Sequence, residues 1–212
     1  MPFFESPPPP SDPPRQRPPK PRWLGPPDGV IGQVTPVQAV LVCSESMIIV
    51  ADRFVCYPSG FEFHLALRTS RPFHGPPMPL GGPQVVRAGS TRGDTGDALR
   101  FGIAFADGRK ATNLGPRPFG PGCGVGAAAT AASGRQQGQA PPEPEAPLLT
   151  AHGGSGSDGR WDQSCWVWGL PPEGPMGVVV EWPAEGIEET RVDIDSALLR
   201  EAASRAEIVW ES

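Results

Sequence analysis

The stretch Phe61-Glu62-Phe63-His64-Leu65-Ala66-Leu67-Arg68 alternates large apolar residues with charged or small ones. A period of two puts Phe61, Phe63, Leu65 and Leu67 on one side of an extended chain. It puts Glu62, His64, Ala66 and Arg68 on the other. That is the pattern of a half-buried strand in an antiparallel sheet. Leu99, Phe101, Ile103 and Phe105 repeat it. Upstream, Met47 to Tyr57 has strand composition, and Pro58-Ser59-Gly60 separates it from Phe61, which predicts a hairpin. Asp107-Gly108 stands between Phe105-Ala106 and Arg109-Lys110-Ala111-Thr112. It predicts a second hairpin with a two-residue turn and positive φ at both central residues.

A third hairpin is predicted around Pro171-Pro172-Glu173-Gly174-Pro175. With the turn centred on Glu173, Leu170 faces Met176, Trp168 faces Val178 and Trp166 faces Val180. These six side chains would then share one core-filling face. Cys165, Val167, Val179 and Glu181 take the opposite face. Pro183-Ala184-Glu185-Gly186 turns the chain again, and Ile187 to Ile194 returns as a strand. One helix is predicted from Ser196 to about Ala206. Asp195 is its N-cap, and Ile194 with Leu199 forms a hydrophobic staple. Leu198, Leu199, Ala202, Ala203 and Ala206 make its apolar stripe, and Ile208, Val209 and Trp210 dock the C-terminus. The pattern is all-β: an antiparallel β-sandwich of immunoglobulin-like type with one short C-terminal helix. A partly open β-barrel is the alternative.

Composition sets the organisation around these strands. The chain has 212 residues, with 30 Pro and 27 Gly, residues that helix and strand interiors tolerate poorly. Residues 1–29 hold 12 of the prolines and read as a disordered Pro-rich tail. Residues 30–212 read as a single β-rich domain with flexible inserts at about 71–96 and 114–146. The second insert is low-complexity Gly, Pro and Ala. Gly153 to Gly159 reads as a further Gly/Ser loop. No block between the inserts is large enough to bury a core alone, so the blocks belong to one folding unit.

The net charge of -5 argues against a nucleic-acid or anionic-membrane partner recruited by charge. No apolar run approaches the length of a membrane span. Met1 to Ser6 lacks a signal-peptide pattern, so a cytoplasmic location with reduced thiols is expected. Cys43, Cys56 and Cys165 read as buried apolar residues and Cys123 as a loop thiol. No C-x-x-C pair exists, and His64, His74 and His152 have no ligand spacing, so no metal is expected. Gly124-Val125-Gly126-Ala127-Ala128-Ala129 matches G-x-G-x-x-A but lacks the preceding strand, so no nucleotide cofactor is expected.

Two functional readings remain. The first is a non-enzymatic module that binds another protein, because no convergent polar set accompanies the core. Within it, Arg15, Pro18 and Pro21 fit R-x-x-P-x-x-P, a pre-extended ligand for an aromatic groove. The second is a small-ligand or carbohydrate-binding module, or a carbohydrate-acting enzyme, suggested by six Trp against one Tyr. Its residues would be Trp161 as a stacking face with Asp162 and Glu181 as carboxylates.

The run Trp166-Val167-Trp168-Gly169-Leu170-Pro171-Pro172-Glu173-Gly174-Pro175, with Glu181-Trp182-Pro183 and Gly186-Ile187 after it, resembles a pattern in uncharacterised β-rich proteins of high-GC actinobacteria. The Ala-rich helix before Trp210 and Phe105-Ala106-Asp107-Gly108-Arg109 are similar too. The resemblance implies one folding unit and brings no activity or site.

Overall fold

The computed structural model describes residues 21–71, 99–114, 143–157 and 159–210. Residues 1–20 of the expected tail and most of both expected inserts lie outside them. The strands are β1 (Val30–Ile31), β2 (Gln33–Thr35), β3 (Ala39–Cys43), β4 (Met47–Tyr57), β5 (Gly60–Thr69), β6 (Arg100–Ala104) and β7 (Lys110–Thr112). They continue with β8 (Leu148–Ser157), β9 (Arg160–Trp168), β10 (Pro175–Trp182), β11 (Ile187–Asp195) and β12 (Glu207–Ile208). The one α-helix among the described residues, α1 (Ser196–Ser204), lies between β11 and β12. No helix there is long and apolar enough to cross a membrane.

β5 pairs antiparallel with β4 on one side and with β9 on the other. Its inner residues Phe61, Phe63, Leu65 and Leu67 are buried, as their alternation requires. Phe54 of β4 stacks on Phe63 with ring centroids 5.7 Å apart. Phe61 completes the trio at 6.2 Å from Phe54. The large sheet runs β4, β5, β9, β8, with β2 and β3 both paired along the outer edge of β4. The small sheet runs β11, β10, β6, β7. Between the two sheets lies one core, to which β6 adds Phe101 and Ile103 and β10 adds Met176, Val178, Val180 and Trp182. The result is an all-β, antiparallel, sandwich-like fold whose described strands form no closed barrel.

Helix α1 fills one end of this core with Leu199, Ala202 and Ala203. Asp195 caps it by accepting a hydrogen bond from the Ala197 amide at 2.9 Å. Ile194 and Leu199 are both buried, as the staple requires. The buried arc is narrower than the sequence pattern implies. Ser196, Leu199, Ala202 and Ala203 face inward, whereas Leu198 sits at the rim of the arc and is exposed. The helix ends at Ser204, two residues short of the expected end.

Four expectations are corrected. First, β9 and β10 do not form a hairpin; they belong to different sheets. Pro171 and Pro172 offer no N–H to a ladder, and Gly169 and Gly174 turn the chain with φ of 92° and 109°. The connection therefore crosses from sheet to sheet. The faces of β9 are reversed as a consequence: Cys165 and Val167 enter the inter-sheet core. Trp166 and Trp168 lie on the outer side, in a second cluster with Trp23. The Trp166 indole N–H donates to the Trp23 carbonyl at 3.1 Å. This 3-10 turn, Arg22–Leu24, therefore belongs to the fold and not to a tail ending at residue 29.

Second, Gly153 to Ser157 is not a linker but the end of β8, in register with β9. The ladder shifts between Ala151 and Gly154. There the buried Gln163 side chain donates from Nε2 to the His152 carbonyl, and to the Ser164 carbonyl at 2.8 Å. Third, the loop at Asp107-Gly108 has three residues. The Phe105 amide donates to the Arg109 carbonyl at 2.8 Å, closing the loop around Ala106, Asp107 and Gly108. Only Gly108 has positive φ, 86°, the arrangement of a turn followed by a left-handed residue. Fourth, Ile208, Val209 and Trp210 dock mainly through backbone, the Val209 and Trp210 amides donating to the Gly29 carbonyl. β12 pairs with β1, and the three side chains stay exposed. Cys43 is likewise exposed, while Cys56 and Cys165 are buried; Cys123 lies outside the described residues.

This packing sets the cost of truncation. Replacing Phe63, buried within the aromatic trio, by Ala should lower unfolding free energy by about 3–5 kcal/mol. Asp195→Ala removes one cap and should lower it by about 1 kcal/mol. Urea unfolding of both variants beside the parent measures the two values; equal losses would contradict this division of roles.

Candidate functional site

The outer side of the large sheet carries its polar groups in rows fixed by register. Asp52 lies opposite His64, and His64 opposite Ser164. One row along, Val40 faces Val50, Val50 faces Ala66, and Ala66 faces Asp162. At the far end Cys43 faces Ile48, Ile48 faces Arg68, and Arg68 faces Arg160. On the other side of the Asp52 row, Val34 faces Val55 and Val55 faces Glu62. Arg53 stands out of these rows. It sits in the bulge where the β4–β5 register shifts, with φ of 53°, a left-handed conformation uncommon for a residue other than Gly.

Charges at the middle of this face are coupled. The Arg68 guanidinium donates to Asp162 Oδ1 at 2.7 Å and to the carbonyls of Leu67 and Trp161 at 2.7 and 3.0 Å. Arg160 Nε lies 3.7 Å from Asp162 Oδ2. His64 Nδ1 lies 3.7 Å from Asp52 Oδ1 and 3.9 Å from Asp162 Oδ1. Burial works to raise the Asp162 carboxyl, but the Arg68 hydrogen bond and charge, with His64 and Arg160, hold it below its usual range. Burial pushes His64 below its usual value, and Arg53 adds to this; Asp162 and Asp52 oppose the shift without reversing it. Toward the aromatic end, burial and Glu62 push the Tyr57 hydroxyl up to about 12. There the Tyr57 ring meets Trp166 edge-on at 5.8 Å, and Trp23 covers Trp166.

The beginning of the valine and isoleucine column is open to solvent. Val34 is 67% exposed, Val40 49% and Ile48 41%. These three lie on one side of one sheet, along its β2–β3–β4 margin. Val50 and Val55 beside them are half-buried. Sequence alternation could mark the outward positions of β4, but not how far each is exposed.

The residues singled out by sequence fall apart in space. Trp161 packs its half-buried ring against the inter-sheet core, while Asp162, its neighbour, points to the outer side. Glu181 is on β10, between the buried Val180 and Trp182, hence on the outer side of the small sheet. It pairs there with Arg100 at 2.8 Å. Asp162 and Glu181 thus occupy opposite outer faces of the sandwich and do not converge. Trp166, Trp168 and Trp182 are buried and offer no stacking face. Arg15 and Pro18 lie outside the described residues. Pro21 precedes the 3-10 turn, its carbonyl accepting from the Leu24 amide at 3.0 Å. Among the described residues no three His, Cys, Asp or Glu side chains converge to hold a metal ion. No family model, curated protein or solved structure matches this chain.

His64 gives the face a signature in pH. Its pKa in the fold is lowered, so the unfolded chain takes up the proton first as pH falls through about 6.5. Stability from this group is complete above that pH and declines as pH falls toward the folded value. Urea unfolding of the parent should therefore show lower stability at pH 5.5 than at pH 7.5. His64→Gln should flatten that slope; an unchanged slope would remove His64 from the account.

Proposed function

We propose that this chain is a β-sandwich module that recognises another protein through the outer side of its large sheet. The observation that carries the reading is the exposure of Val40 and Ile48 on either side of the half-buried Val50, with Val34 exposed further along the same sheet margin. An apolar column left open beside polar groups is characteristic of a contact surface. Ile31, Ile208, Val209 and Trp210 form a second exposed apolar group at the β1–β12 pair, apart from the large sheet, while the interior and the aromatic end are closed. The inter-sheet core is filled from both sides, and the aromatic end is covered by Trp23. The module works in a reducing compartment, consistent with the free thiols of Cys43, Cys56 and Cys165, and we assign it to the cytoplasm.

Val40→Asp together with Ile48→Asp tests the reading. Both side chains are outward, so near-UV circular dichroism should stay that of the parent. Partner affinity should fall about tenfold or more, as for charges placed in the centre of an interface. The measurement is quantitative capture from the native host with the parent and the double variant side by side. Equal recovery of the same proteins by both would contradict the proposal.

A further inference from the structure

We infer that the segment received on this face is an amphipathic helix with an acidic flank. The inference rests on the protein-recognition reading above and names the partner's chemistry. The chain as a whole is acidic, with a net charge of -5. This face instead balances Arg53, Arg68 and Arg160 against Asp52, Glu62 and Asp162, and sets two of its arginines further into solvent than their neighbouring aspartates. The side chains of Arg53 and Arg160 are 68% and 64% exposed, while those of Asp52 and Asp162 are only 25% and 22% exposed. Guanidinium groups therefore stand toward solvent with the carboxylates beneath them. An approaching partner meets Arg53 and Arg160 before Asp52 and Asp162.

Of these carboxylates, Asp162 is already engaged. Asp162 accepts from Arg68 and lies near Arg160, and Asp52 lies 3.8 Å from Arg53. Arg68 is fixed by three hydrogen bonds, so this corner is rigid before anything binds. A guanidinium recognises a carboxylate with paired N–H donors. The apolar column and the arginines are close enough for one segment to reach both. Ile48, Arg68 and Arg160 are consecutive cross-strand neighbours, and strands lie about 4.8 Å apart. Ile48 and Arg160 are therefore separated by about 10 Å, the width of one helix with its side chains. A helix lying along the strands would set its apolar stripe on Val40, Val50 and Ile48 and its carboxylates over the arginines. Among the described residues no exposed aromatic ring stands beside these arginines to stack a base, which favours a peptide over a nucleic acid.

Fluorescence anisotropy with two labelled 18-residue amphipathic peptides tests this, one built of Leu and Glu and the other of Leu and Lys in the same pattern. A single-stranded oligonucleotide is the third probe. The Leu/Glu peptide should bind at least tenfold more tightly than the Leu/Lys peptide and the oligonucleotide. Its binding should weaken on raising salt from 0.05 to 0.5 M. Arg53→Gln with Arg160→Gln should weaken it about tenfold without changing the melting temperature, since neither residue supports the core. Ile48→Asp should abolish it. Equal binding of both peptides, no binding of either, or preference for the oligonucleotide would overturn the inference. If the peptides fail while Val40→Asp/Ile48→Asp still loses the native partner, protein recognition stands and the acidic-helix chemistry falls.

Discussion

The structure depends on the double pairing of β5. Its register against β4 and β9 decides which side chains enter the core and which meet solvent. Because strand side chains alternate, a slip of one residue on either side would exchange the two faces. Phe61, Phe63, Leu65 and Leu67 bury too much apolar surface to tolerate that exchange. Their burial then forces Glu62, His64, Ala66 and Arg68 outward. The same register carries Asp52 and Ser164 to either side of His64. The surface is thus a by-product of packing the core: the side chains that must be buried dictate where the charges stand.

Two irregularities shape this surface. The bulge at Arg53 inserts one residue into β4, so Phe54 and Cys56 still reach the core beyond it, and it carries an arginine away from the rows. Extra residues in a strand bend it and re-aim a side chain in this way. Along the same edge, Pro36 separates β2 from β3, and neither strand continues through it. The valines at this margin lie beside half-buried neighbours and are followed inward by Ala66 with Asp162 and by Glu62, whereas Ile48 is followed by Arg68 and Arg160. Apolar and cationic side chains meet at the Ile48 end of this margin.

The all-β character, the Pro58-Ser59 hairpin and the Asp195 cap were legible because each rests on local chemistry. Alternation in β5 is readable because one of its faces is charged. β9 is different: Cys165 and Val167 are apolar, and so are Trp166 and Trp168. With both sides apolar, period two reports a strand but not its phase. Gly153 to Ser157 carries no alternation at all, so its pairing comes from backbone hydrogen bonds to β9 that no side chain announces. The candidate site was legible only in part. His64 and Arg68 stand out on the polar face of β5, and Asp162 was noticed for its nearness to tryptophans. Its true partners, Arg68 and His64, come from more than 90 residues away in sequence. Arg53 was invisible because the bulge is a consequence of register. The exposure of Val40 and Ile48 is not legible in sequence, because alternation gives the side a residue faces and not how much of it stays open.

The account turns on one arrangement, the Asp52–His64–Ser164 row across β4, β5 and β9. Inter-strand backbone NOEs in a labelled sample test it most directly. The account predicts contacts linking Asp52 with His64 and His64 with Ser164, alongside contacts from Ala66 to Val50 and to Asp162. Contacts displaced by one residue, placing Leu65 opposite Asp52 or Ser164, would turn the apolar side of β5 outward and contradict both the core and the surface derived from it.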